Sequence, residues 1–136
     1  MSDLTHRIFE FARRHQLISL ATSDPSGRPQ LRYVVGCADE DLTIRFSTHL
    51  ESAKVAQLEA DNRVCLTLGA TQVNSPVWLR MDGVARISTD LREREGFWFG
   101  ALTKYFTGID DPRYCVVVIT PTRIELGTEV WEPDAA

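Results

Sequence analysis

Between Leu17 and Trp131 the sequence keeps returning to short runs of alternating apolar and polar residues. In "LTIRFST", Leu42, Ile44 and Phe46 alternate with Thr43, Arg45 and Ser47, the period of a strand with one face buried. The runs "LISLATSD", "QLRYVVGC", "NRVCLTLGAT", "PVWLRMDGVARIST", "YCVVVITP" and "TRIELGTEVW" extend the pattern, with Pro121 dividing the last two. Turn chemistry separates several of them: Pro25, Gly27 and Pro29 in "DPSGRP", then "ADED". Strands joined by short turns pair antiparallel. This many in so short a chain remove their exposed edges by closing into a barrel.

Three stretches read as helices. "SDLTHRIFEFARRHQ" places Leu4, Ile8, Phe11 and Ala12 on one face, with Ser2 or Asp3 as cap. "HLESAKVAQLEAD" interrupts the strands and packs outside the barrel or across one end. "DLREREGFWFGALTKYF" is a third helix, crowded with Phe97, Trp98, Phe99, Tyr105 and Phe106. Its aromatic residues suit core and dimer packing, or a pocket wall. The expected fold is mainly β with helices, antiparallel and Greek-key-like, with about seven strands and three helices in one domain over residues 1–136. Gly83 marks a bend or a close backbone approach.

Charge and composition exclude several functions. The net charge of −4 argues against general nucleic-acid binding. No apolar run reaches the ~20 residues of a membrane span. Charges interrupt the first residues too often for a signal-peptide core, so a cytoplasmic protein is expected. Cys37, Cys65 and Cys115 are scattered and read as small core residues in a reduced compartment. His6, His15 and His49 lack metal-ligand spacing, so no metal is expected. Glu93, Glu95, Asp110 and Asp111 read as solvated. No catalytic residue is assigned, because no nucleophile–base arrangement stands out.

One stretch is chemically pointed. In "FSTHLESAKVAQLEAD", Leu50, Lys54 and Leu58 fall four residues apart on one helix face, a lysine between two leucines. Thr48 and Glu51 fit a capping box, so the helix is expected to begin where the strand ends. Unpaired amides at such a start attract anions, phosphate above all. Ser47, Thr48 and Ser52 add hydroxyls and Lys54 a full charge. Arg32 lies across its strand from Leu31, Tyr33, Val35 and Cys37, and is expected to reach the helix start if the two strands are neighbours. Together these groups would hold a phosphomonoester.

These residues resemble the pyridoxamine 5'-phosphate oxidase-like flavin-binding split barrels. The matching positions are Arg32, Phe46, Ser47, Thr48, Ser52, Lys54, Asn62 and Val64. "MDGVARI", Trp98, "KYFTGIDDPRYCVVVITP" and "TRIEL" resemble the general stress protein branch. The resemblance implies a split-barrel homodimer with FMN at the subunit interface. It implies that Arg32, Ser52 and Lys54 hold the FMN phosphate, and that Ser47 and Thr48 touch it or the ribityl chain. The strand around Tyr33, Val34 and Val35 would border the isoalloxazine. Phe46 and Trp98 are placed in the same site. Ala53 stands where many relatives carry a second basic residue, and "GTEVWEPDAA" offers no arginine-bearing segment for a vitamin substrate, so vitamin B6 oxidation is not expected.

The expected function is an FMN-dependent oxidoreductase passing hydride or electrons to an unknown small acceptor, with the stress response as its setting. The alternatives are a non-catalytic flavin-binding or redox-sensing protein, or a split barrel using deazaflavin or haem.

Overall fold

The structure, a computed structural model, describes residues 2–133. Residue 1 and residues 134–136, which the single-domain expectation included, lie outside the described residues. The strands are β1 (Gln16–Ser23), β2 (Pro29–Ala38), β3 (Ile44–His49), β4 (Arg63–Leu68), β5 (Leu79–Ser88), β6 (Tyr114–Leu126) and β7 (Glu129–Trp131). The helices are α1 (Asp3–Ala12), α2 (Ala53–Ala60) and α3 (Leu91–Phe97). The hydrogen-bonded order is β3-β2-β1-β4-β5-β6-β7, and β3 also pairs with β6. That extra pairing closes six strands into a ring, and every pairing is antiparallel. The fold is a split barrel.

β6 holds the design together. Tyr114–Ile119 pair with β3, whereas Ile124–Leu126 pair with β7. The expected break at Pro121 does not occur, and β6 runs through it. Pro121 sits opposite Gly83, where the β5–β6 register shifts, and an irregular ladder tolerates a residue without an N–H. A Cβ on Gly83 would lie 2.7 Å from Ile119 Cγ2 and 2.8 Å from the Thr120 carbonyl, the close approach anticipated there. The first half of β6 is apolar on both faces because both are covered. Val117 and Ile119 point into the barrel core, while Tyr114, Val116 and Val118 meet Phe97, Leu102 and Phe106 outside it.

The third predicted helix is broken. α3 ends at Phe97, and Gly100–Lys104 form a separate 3₁₀ turn after an extended Trp98–Phe99 step. A straight helix would spread Phe97, Trp98 and Phe99 around its circumference. The break instead lets Phe97, Leu102 and Phe106 reach one face of β6.

α1 is capped by Ser2, whose hydroxyl accepts from the Thr5 amide at 3.1 Å, and it buries Ile8 and Ala12. α2 carries the chain from β3 to β4, which are not neighbours. It packs on β1 and β5, and its Leu58 enters the barrel core, so it plugs one end. It starts later than expected: β3 continues to His49, a turn follows, and Ser52 is the N-cap residue. The capping box does not form, and Leu50 lies outside the helix. None of the helices among the described residues is long and apolar enough to cross a membrane.

Asp111 is not solvated, as the sequence suggested, but buried at 2 % exposure. Its carboxylate accepts from the Thr107 amide and hydroxyl and from the Arg113 amide and guanidinium. The Arg113 side chain, then these amides, hold the carboxyl well below the usual carboxylate range. A depressed folded pKa contributes stability above the unfolded value of about 4, lost as pH falls through the folded value. Asp111→Asn is therefore expected to destabilise most at neutral pH, with the gap to the parent chain closing below about pH 4 in urea-denaturation curves.

Candidate functional site: a cationic cleft beside β3 and α2

A cleft of about 450 Å³ opens where β2, β3, α2 and the 3₁₀ turn meet, within the ~300–1,000 Å³ of small-molecule sites. Tyr33, Val34 and Val35 form one side. Ser47, Thr48, His49 and Lys54 form the polar end. Phe99, Leu102, Tyr105 and Phe106 form an aromatic wall, and the His49 ring lies 4.7 Å from that of Phe106.

β3 sets the polar end. Ile44 and Phe46 point inward, so Ser47 and His49 fall on the other face. Phe46 is matched by Gly36 on β2, whose missing side chain admits the neighbouring strand: a Cβ there would lie 2.5 Å from the Arg45 carbonyl. Thr48 then meets the start of α2. Lys54 Nζ donates to Thr48 Oγ1 at 2.9 Å, and Thr48 Oγ1 donates to Ser52 Oγ at 3.3 Å. The chain ends on a hydroxyl that still has its own proton to give. Ser52 makes no capping bond to the helix. Burial, and secondly the charge of Arg32, pull the Lys54 pKa below its ordinary value. Near Lys54, burial pushes the Cys115 thiol up to about 11, so it stays neutral.

The structure thus brings Tyr33, Val34, Val35, Ser47, Thr48 and Lys54 to one cleft, with Ser52 one hydrogen bond behind. Three predicted residues are placed differently. Phe46 is 0 % exposed and belongs to the barrel core. Trp98 packs edge-on against Tyr114, with ring centroids 5.5 Å apart. Arg32 makes no hydrogen bond to the residues at the start of α2. β2 pairs with β3 only over Gly36–Ala38, so Arg32 lies beyond that ladder, over β1 and the middle of α2. There its guanidinium donates to Thr22 Oγ1 at 2.7 Å and to Gln57 Oε1 at 2.9 Å. Thr22 and Gln57 carried no motif in the sequence. Phe99, Tyr105 and Phe106 were visible there as an aromatic cluster suited to packing or to a pocket wall.

Lys54 and Arg32 are both partly buried and have no carboxylate partner among the described residues; Arg14, Arg28, Arg92 and Lys104 lack one too but are exposed, and the partly buried Arg94 donates to the Asp111 carbonyl. Two partly buried like charges without a counterion are costly. An anion between them relieves that cost. The donors are hard N–H and O–H groups suited to phosphate, and the adjoining cleft is apolar and aromatic. This combination fits a flat ring system carrying a phosphate, FMN included.

A family model described as pyridoxamine 5'-phosphate oxidase matches residues 4–126. General stress protein 26 of Bacillus subtilis is 28% identical over 125 residues, 91% of this chain and 88% of that protein. The crystal structure of General Stress Protein 26 from Bacillus anthracis superposes with a TM-score of 0.86 at 20% identity, covering 97% of this chain and 100% of that one. An F420 reductase superposes with a TM-score of 0.66 at 20% identity (85% and 94% covered), and a heme binding protein from Mycobacterium smegmatis with 0.72 at 16% (94% and 56%). At these identities the structural likenesses speak for the fold.

Proposed function

The chain belongs to the pyridoxamine 5'-phosphate oxidase family, and from that premise we propose that it binds FMN in the β2–β3–α2 cleft and acts as a flavin-dependent oxidoreductase. The observation that carries this reading is Lys54, a cation without a carboxylate partner among the described residues that lines an apolar aromatic cleft, with the charge of Arg32 acting on it from outside the lining. Lys54, Thr48 and Ser52 bind the phosphate. Ser47 lies next along β3, toward the ribityl chain. The Tyr33–Val35 strand and the aromatic wall bracket the ring and exclude water from it. Bound flavin supplies hydride or electron transfer from a reduced nicotinamide or another donor to a small acceptor. The general stress protein relative supports a role under stress.

The outer face of β1 and β2 supports a homodimer. Leu17 is 63 % exposed, Leu31 72 % and Tyr33 72 %. Leu17 and Val35 sit directly opposite each other in the ladder, and both line the cleft. A second copy covering this face would also cover the flavin.

The F420 reductase and heme binding protein keep a second ligand in view: deazaflavin or haem in the same cleft. Titrating the purified protein with FMN, FAD, deazaflavin and haem decides between them. Saturable, preferential FMN binding is the expected result, and preference for another ligand overturns it. Turnover of reduced nicotinamide by the FMN-loaded protein then separates an enzyme from a flavin store.

A further inference from the structure

Arg32 is the less obvious of the two cations, and its surroundings are unusual for a partly buried guanidinium. Thr22, only 2 % exposed, accepts from Arg32 Nη1 and donates to Gln57 Oε1 at 2.6 Å. Gln57 Oε1 also accepts from Arg32 Nη2. The three side chains close a ring of hydrogen bonds. The amide orientation is forced, because guanidinium has only donors and so must face the carbonyl. Gln57 lies one helical turn beyond Lys54, so both project from one side of α2. The ring therefore ties Arg32 to the helix that carries the other cation. Its members are neutral acceptors, which orient a guanidinium without cancelling its charge. A carboxylate in the same place would do both.

We propose that Gln57 and Thr22 form a neutral clamp that holds Arg32 beside the middle of α2, where its uncancelled positive charge adds to that of Lys54 in attracting the phosphate of the bound ligand. This rests on the FMN reading above. Gln57 and Thr22 are positioning residues, acting through Arg32 and not on the flavin.

The test is flavin-fluorescence titration of the parent chain, Gln57→Glu and Thr22→Val, each with FMN and with riboflavin, plus thermal melts of the flavin-free proteins. Gln57→Glu is isosteric and gives Arg32 an anionic partner. It is expected to weaken FMN binding about tenfold or more, through cancellation of one nearby positive charge, while riboflavin affinity stays within about twofold. Its flavin-free melting temperature is expected to hold or rise. Thr22→Val, which opens the ring without adding charge, is expected to lower the FMN-to-riboflavin preference less. A purely structural role would move both flavins together and lower the melt. Gln57→Glu with parental FMN affinity, or with equal losses for both flavins, overturns the clamp alone. A parent chain that binds neither flavin overturns the FMN reading and the clamp with it.

Discussion

Lys54→Ala is expected to weaken FMN binding by about 1.5–3 kcal/mol, roughly ten- to a hundredfold in Kd, and to leave the fold intact. The ammonium is the charged end of the Lys54–Thr48–Ser52 chain. Removing it takes away a charge-assisted hydrogen bond and the nearest positive charge. Folding should not suffer in proportion, because burial and Arg32 already work against the charged form of Lys54. Riboflavin, which lacks the phosphate, should bind the variant and the parent almost equally. Isothermal titration with both ligands checks this. Parental FMN affinity in Lys54→Ala would remove the phosphate from this end of the cleft.

Phe46→Ala should behave in the opposite way. Phe46 is fully buried, with Gly36 opposite it on one side and Val117 on the other. Emptying that volume is expected to cost about 3–5 kcal/mol of stability, read from urea unfolding. The fraction that remains folded should bind FMN with little change, since the side chain points into the barrel and away from the cleft. A variant that kept its stability but lost FMN would mean that Phe46 touches the ligand. The two variants together separate a residue that contacts the anion from one that supports the strand beneath it.

Alternation in the sequence made most of the barrel legible. β3 was readable because one of its faces is buried and the other is not. The helix of α2 was readable too, but its start was misplaced: "THLE" satisfies the capping-box pattern, yet Thr48 spends its hydroxyl on Ser52 and accepts from Lys54. Local grammar lost to the β3–β6 ladder, which keeps Thr48 and His49 in the strand. Continuity through Pro121 was hidden because it depends on the irregular ladder opposite Gly83, a feature of the partner strand. The polar end of the cleft was legible because Ser47, Thr48, Ser52 and Lys54 are close in sequence. The destination of Arg32 was not, since it depends on where the β2–β3 ladder stops and on Thr22 and Gln57, whose spacing follows no motif. The outward face of β2 is a similar case: alternation identifies the apolar set Leu31, Tyr33 and Val35, but the structure turns it to the surface.

The shared edge of β6 has a consequence for how the chain folds. The seam that completes the ring joins residues remote in sequence, Ile44 with Ile119 and His49 with Tyr114. No other strand pairing among the described residues joins positions so far apart in sequence, so loop-closure entropy makes this seam a late event in folding. The strand it secures, β3, is also the one that carries Ser47 and Thr48. A ligand that needs both hydroxyls therefore binds only after zipping is finished, and mass action makes it a latch on the last step of assembly.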